Sequence, residues 1–490
     1  MSNMQVDSES SPQDMSKRQG LITVNDLNYV LEPDLSVATN KTSKKHFFQS
    51  QSYTPGQQAI CILNSGADYI DTRRSFLQFE LNTTQVAGVE YGFGTHGSAC
   101  NLIKDITIST RSGDELCRIQ DFNLLQNMLL PLTYDTEWFK CQGQMMAYGQ
   151  RLNTSQRLAI PMYLLSPLFG YGRLMPAMLM SGLRIEITWA EKKFPFIAST
   201  ATTADTQVND IAYTINDAYF SLQSIQLSDS IQRALNELSA TNGLEVVYCD
   251  WERTTLNQGN DFGGTINVEI RKSCSRALKA FARIRPTGGT VATNTPRPDN
   301  KRDSFRAEAG FPFLEYQWQL GSLYFPQQPV QGSTTDKCGV EAYAHTIEAC
   351  DKFNGEARQP YLTFNGDYLT DGLTAKIQGN TATQVGEARP GYYQALAFKE
   401  PGSYLHDAHV LAVNLERSTM FNLAGVPVNN SRVLSLRAKL PTTGNSGEIQ
   451  EASSATAAEA LVGFPKRQLD VYLKYVKLAR VFLNNVEVEQ

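Results

Sequence analysis

In GLRIEITW, Leu183, Ile185, Ile187 and Trp189 fall on one phase of a two-residue period, and Arg184, Glu186 and Thr188 on the other. Successive side chains of a strand point to opposite faces, so this stretch reads as a strand with one buried face. The rhythm recurs in SFLQFEL (Leu77, Phe79, Leu81), in TINVEIRK (Ile266, Val268, Ile270) and in QLDVYLKY (Leu469, Val471, Leu473, Tyr475). In AYFSLQSIQL the apolar phase slips between Leu222 and Ile225, which predicts a β-bulge. YQWQLGSLYFPQQPV places Tyr316, Trp318 and Leu320 inward, breaks at Gly321, and meets Pro326 and Pro329. Proline carries no amide hydrogen, so pairing is expected to cease there and release the chain into a stiff exit loop.

Helical periodicity is rarer. DSIQRALNELSATNG carries Ile231, Ala234, Leu235 and Leu238 on one stripe, with Ser228 or Asp229 as N-cap and Asn242-Gly243 as the stop. This helix divides the chain almost in half. Each half holds one further helix soon after a strand: DFNLLQNMLL, with Phe122, Leu125 and Leu129 inward, and EAYAHTIEACDKFNG, with Tyr343, Ile347, Cys350 and Phe353 inward and Asn354-Gly355 as the stop. Both halves therefore read as strands, a helix, then more strands, without residue-level repetition.

Long polar stretches separate the strands: Ile197–Asp210, Thr293–Asp303, Gln378–Gly391 and Thr442–Ala460. Loops of such length in a compact β domain usually bind or cover a neighbour, so function is expected at surfaces. The first 46 residues lack steady periodicity and read as an arm that orders against something else.

Composition adds boundaries. The 490 residues are 41% hydrophobic and 19% charged, an ordinary globular balance with ample chain for two large β domains. A net charge of −5 gives no broad attraction for nucleic acid or an anionic membrane. The stretch MSNMQVDSESSPQDMSKRQG is too polar for a signal peptide, so the chain is expected to avoid secretion. Eight cysteines without a CxxC pair then read as reduced thiols scattered through a core.

Reactive motifs fare poorly. GFGTHG, Gly92 to Gly97, matches the dinucleotide-binding glycine pattern, but the NLIKDITIST that follows alternates as a strand where the fingerprint needs a helix. A glycine-rich turn is the better reading. HDAH, His406 to His409, offers two imidazoles and a carboxylate, yet no spacing supplies a third partner. No GxSxG, HExxH or GxxxxGK[ST] occurs. The sequence thus gives no catalytic residues, no metal site and no cofactor. KTSKKH supplies Lys41, Lys44 and Lys45 as candidates for a basic contact, although the arm holds one more acid than base.

Three stretches together resemble the double jelly-roll major capsid proteins of tailless icosahedral double-stranded DNA viruses: the polinton-like virus, Polinton and virophage group, and more distantly adenovirus hexon. YTPGQQAICILNSGADYIDTRRSFLQFEL is similar to the opening strands of a first roll, AIPMYLLSPLFGYGRLMPAMLMSGLRIEIT to its later strands, and YQWQLGSLYFPQQPV to a strand and exit loop of the second roll. The resemblance implies an all-β fold of two consecutive eight-stranded antiparallel jelly-roll sandwiches with a few short helices. Its expected divisions are an N-terminal arm (1–46), a first roll (47–227), a linker helix (228–243) and a second roll (244–490). It further implies a non-enzymatic virion protein, assembled inside the host cell. Homotrimers with a pseudo-hexagonal outline would tile the shell beside minor capsid, cement and penton proteins. Lys41, Lys44 and Lys45 would then lie at the inner face, with no specific nucleic-acid site and contact with an internal membrane left open. Two alternatives stand beside it: a jelly-roll coat protein of an RNA virus, against which the arm's charge counts, and a carbohydrate-binding or carbohydrate-cleaving β-sandwich protein.

Overall fold

The computed structural model describes residues 38–84, 89–93, 97–148, 152–192, 195–200, 211–258, 264–286, 315–331, 340–352, 410–416, 425–440, 467–482 and 486–489. The first half builds eight principal strands: β1 (Ala38–Phe47), β2 (Gln58–Ile62), β3 (Tyr69–Thr83), β4 (Ile103–Ser109), β5 (Glu115–Ile119), β6 (Ser155–Pro161), β7 (Arg184–Trp189) and β8 (Tyr213–Leu227). They form two sheets in the orders β1-β8-β3-β6 and β2-β7-β4-β5. All of these pairings are antiparallel.

The second half repeats the arrangement with β9 (Leu244–Gln258), β10 (Gly264–Ile270), β11 (Cys274–Pro286), β12 (Glu315–Leu320), β13 (Leu323–Gln331), β14 (Val410–Asn414), β15 (Leu434–Leu440) and β16 (Arg467–Val481). Its sheets run β9-β16-β11-β14 and β10-β15-β12-β13, so each strand takes the place of its counterpart eight positions earlier. Between the fifth and sixth strand of each set stands a helix: α1 (Phe122–Thr133) in the first and α3 (Val340–Ala349) in the second. The linker helix α2 (Asp229–Thr241) lies between the sets, with Ser228 as N-cap and Gly243 at φ 75° just beyond its end. The repeated order of elements seen in the sequence is thus a repeated topology, that of two jelly rolls.

Alternation explains the sandwiching. Leu77, Phe79 and Leu81 of β3 and Ile185, Ile187 and Trp189 of β7 meet in the first core. Ile266, Val268, Trp318, Leu436, Val471 and Leu473 meet in the second. Each inner face hides apolar area at a gain of about 25 cal/mol per Å². The opposite faces of these strands decide what else the protein touches.

Several expectations change. The sequence places residues 38–46 in the arm, but β1 begins at Ala38 and pairs with β8 as far as Phe47↔Tyr219, so this segment belongs to the first sheet. Its polar composition disguised an edge strand whose side chains mostly face water. Pairing of β13 does not cease at Pro326: Trp318↔Phe325 is followed, after a register shift, by Tyr316↔Val330 and Glu315↔Gln331. β13 is the edge of its sheet, so its prolines cost no ladder bond on the outer side. The Gln317 amide spans the irregular stretch by donating to the Pro326 and Gln327 carbonyls at 3.1 and 3.0 Å.

On α3 the buried positions are Ala342, Thr346 and Ala349, one place from the expected stripe of Tyr343, Ile347 and Cys350. Small residues allow close approach, and the Thr346 hydroxyl donates to Ala342 and Val410 carbonyls. The α2 stripe is only half-buried: Ile231 and Leu235 pack near Tyr69 and Leu227, while Leu238 stays 44% exposed. The phase slip in β8 coincides with a register shift between Ser221 and Gln223, and the extra residues lie on β3.

Candidate functional site: the seam between the rolls

The first roll presents β5 as a sheet edge, since β5 pairs only with β4 among the described strands. A sheet edge leaves carbonyls pointing away from the ladder, and a buried carbonyl needs a partner. The second roll supplies two for Leu116: the Tyr248 hydroxyl at 2.7 Å and the Lys477 ammonium at 3.1 Å. Both donors stand on paired positions of β9 and β16, Tyr248↔Lys477, so a single register delivers them together.

Lys477 also bonds Asp250 Oδ2 at 2.6 Å, and both side chains are almost fully buried. The same oxygen accepts from the Tyr475 hydroxyl at 3.2 Å. Asp250 Oδ1 accepts from the Trp251 amide at 2.9 Å and from the Cys117 thiol of the first roll at 3.0 Å. The carboxylate therefore has several donors, as a buried charge requires. Burial, followed by the Asp250 charge, pushes the Cys117 thiol well above its ordinary value. Such a thiol is structural and poorly nucleophilic.

A second ionic contact closes the other end. Arg253 pairs with Asp470 at 2.6 Å and with Asp121, the residue preceding α1. The Tyr472 hydroxyl donates to the Asp121 carbonyl at 3.4 Å. Although burial lowers the Arg253 pKa, Tyr472, Asp470 and Asp121 more than offset it and hold the guanidinium above its usual range. Around these polar groups, Val246, Tyr248, Trp251, Phe281, Tyr472, Ala479 and Val481 join the apolar cluster of the first roll. The linker adds the Ser239 hydroxyl, which donates to the Val481 carbonyl at 3.2 Å. Packing and hydrogen bonding thus fasten the rolls into one body.

The basic trio does not converge. Lys41 and Lys45 share one face of β1 and, four residues apart in a strand, stand about 13 Å from each other; Lys44 is on the other face, paired with Asp68. All three are exposed, and Lys45 lies 4.5 Å from the centroid of the Tyr219 ring. Gly92 ends a short strand, Val89–Gly92, that pairs with Ile197–Thr200. A Cβ on Gly97 would stand 1.8 Å from the Phe93 carbonyl oxygen, so glycine serves a close backbone approach there. The element that follows is a single 3-10 turn, Ala99–Leu102, capped by Ser98. HDAH lies outside the described residues, among which no group of three potential metal ligands occurs.

Two clefts lie on the described surface. One of about 660 Å³ lies between β9 and β10 and is lined by Glu252, Thr254, Asn267, Glu269 and Arg271. The other, about 540 Å³, is lined by Tyr134 and Trp138, stacked at 4.2 Å, together with Glu137, Cys141 and Lys352. Burial pushes Cys61, Cys100 and Cys350 up to about 12, and all described cysteines are free thiols.

No protein-family model and no curated protein matches this sequence. Solved structures do match. The quasi-atomic PBCV-1 virus capsid aligns with 92% of this chain and 96% of its own at 11% identity and a TM-score of 0.55. The 3.5 Å structure of the Sputnik virophage aligns with 99% of this chain and 93% of its own at 10% identity and 0.54. The crystal structure of PBCV-1 VP54 gives 92% and 97%, at 12% identity and 0.53. These likenesses span both halves, and the chain has the double jelly-roll fold.

Proposed function

We propose that this chain is the major capsid protein of a double-stranded DNA virus. Three copies close into a ring of six rolls with a pseudo-hexagonal outline, and the rings tile an icosahedral shell in the virion. One observation carries this reading: two rolls of the same topology are locked side by side by a buried seam, which makes the pair a single building block. The fold shared with the PBCV-1 and Sputnik capsid structures supports it. Closed rings are the usual way for identical surfaces of one chain to be satisfied.

The role is architectural, with no catalytic step and no cofactor. The partners are further copies of the chain, then neighbouring rings, with minor capsid, cement and penton proteins filling joints and vertices. Lys41, Lys44 and Lys45 remain candidates for contact at the shell's inner face. Their spread along β1 suits a diffuse anionic surface better than one bound phosphate. Light scattering on the purified protein tests the reading: a particle of three times 54.5 kDa is expected, and a strict monomer at high concentration contradicts it.

A further inference from the structure

One register shift in the first roll is larger than the topology requires. On the β8–β3 ladder Ser221 pairs with Phe76 and Gln223 with Asp71, so Leu222 alone stands opposite four residues of β3, Thr72 to Ser75. The equivalent ladder of the second roll, β16–β11, sets Tyr475 against Ala277 and Lys474 against Lys279, so only Leu278 is inserted there. The segment TRRS thus leaves the ladder in one roll and has no equivalent in the other.

Hydrogen bonds hold this bulge in a fixed shape. The Ser75 hydroxyl donates to the Asp71 carbonyl at 2.7 Å and accepts from the Gln223 amide at 3.0 Å. The Arg73 amide donates to Asp71 Oδ1 at 3.2 Å, and the Thr72 hydroxyl donates to the Phe169 carbonyl at 2.6 Å. In a regular strand Arg73 and Arg74 would point to opposite faces. The bulge turns both toward water and buries Thr72 and Ser75 instead. The neighbouring turn, tied to β3 by paired backbone bonds between Ile70 and Met175, completes the group. A Cβ on Gly172 (φ 85°) would stand 3.2 Å from Arg73 Cζ, so the guanidinium is bedded on bare backbone, and the exposed Arg173 follows, 5.8 Å from the Tyr171 ring centroid. Asp71 is the sole carboxylate in residues 69–75 and 166–176, and it pairs with Arg74 at 3.5 Å. Three guanidiniums therefore face one acid, on a chain whose net charge is −5.

We propose that this arginine bulge, Arg73, Arg74 and Arg173, is a contact site for the phosphodiester backbone of duplex DNA. The planar fork of a guanidinium matches two phosphate oxygens at once, and Arg keeps its charge at every working pH. All three side chains are open to water, so a single phosphate ion would gain no enclosure, whereas a polyanion engages them together and releases its counterions. Basic surfaces that settle on a bilayer add apolar side chains for insertion, and none of the exposed large hydrophobic residues among those described belongs to the bulge or its turn. Contacts to the backbone select no base sequence. The site does not depend on the ring-forming reading, since one copy carries all of it.

The test is fluorescence anisotropy of a labelled duplex DNA with the full chain over a range of salt concentrations. Wild type is expected to bind, with log affinity falling against log salt at a slope of about −3 for three phosphates neutralised. Arg73→Gln with Arg74→Gln should flatten that slope by about 2 and weaken low-salt binding at least about tenfold. Lys41→Gln with Lys45→Gln removes the same charge elsewhere on the first sheet and should leave the slope in place. If the arginine double variant fails to fold, Arg173→Gln, outside the hydrogen-bonded bulge, is read instead and should flatten the slope by about 1. Equal losses from the lysine and arginine variants would reduce the effect to net charge and overturn the site. So would a wild type that ignores duplex DNA but binds phosphatidylserine vesicles through these arginines, inorganic phosphate that displaces DNA well below the chloride concentration of equal effect, or no binding at all. None of these outcomes alters the mass that tests the ring reading.

Discussion

The long strands β8 and β16 occupy the same position in their rolls, each flanked by the first and third strands of its set, yet their outward faces differ. On β8 the outward Tyr219, Gln223 and Ile225 stay half-exposed. On β16 the outward Asp470, Tyr472 and Val476 are buried, as are the inward Val471 and Leu473. Topology sets the inner face of a sandwich strand, whereas the outer face records what neighbour the strand has. A strand covered on both sides has to satisfy polar groups as well as bury apolar ones, and β16 does so together with β9 through Asp250, Lys477, Arg253 and Asp470.

The comparison yields experiments of decreasing expected effect. Deleting residues 1–46 strips β1 from β8 and bares the edge of the first sheet. That deletion is expected to abolish soluble protein, and full recovery with unaltered melting would show that β1 does not support the roll. Trp318→Ala empties a fully buried site in the second core and should cost about 3–5 kcal/mol in denaturant unfolding. A midpoint near wild type would mean that the indole is not inside.

Lys477→Met leaves the buried Asp250 carboxylate without its cation and Leu116 with one donor fewer. A loss of about 3 kcal/mol is expected, since breaking one partner of a buried pair leaves an uncompensated charge. Asp250→Asn added to it should restore part of that loss, and strict additivity would refute the coupling. Tyr248→Phe, which deletes a single hydrogen bond to Leu116, should cost about 1 kcal/mol. Lys44→Ala, at an exposed position of β1, should change stability by under about 1 kcal/mol, because its pair with Asp68 is solvated. Equal losses for Lys44 and Lys477 variants would erase the distinction between a solvated and a buried ion pair.

Strand identity was legible wherever one face meets a core and the other meets water. Leu469, Val471 and Leu473, or Tyr316, Trp318 and Leu320, announce a sandwich by alternation alone. The seam was harder to read because it needs two faces at once. In QLDVYLKYVKLARV the inward phase suffices to assign the strand, and Asp470 and Lys477 look like solvated positions. One signal was present: Tyr472 puts an aromatic ring on the phase that an open strand would give to water. β1 escaped notice for the opposite reason, since ATNKTSKKHF carries almost no apolar residue and owes its structure to the ladder with β8. The continued pairing past Pro326 depends on β13 being at an edge, a property of the whole sheet that local composition does not encode.

The most direct measurement of the central claim is an electron cryo-microscopy reconstruction of the purified protein. Six lobes of similar size around one axis are expected, joined in pairs by the Asp250–Lys477 seam within each chain. A two-fold dimer, or lobes that part along the seam within each chain, would contradict it.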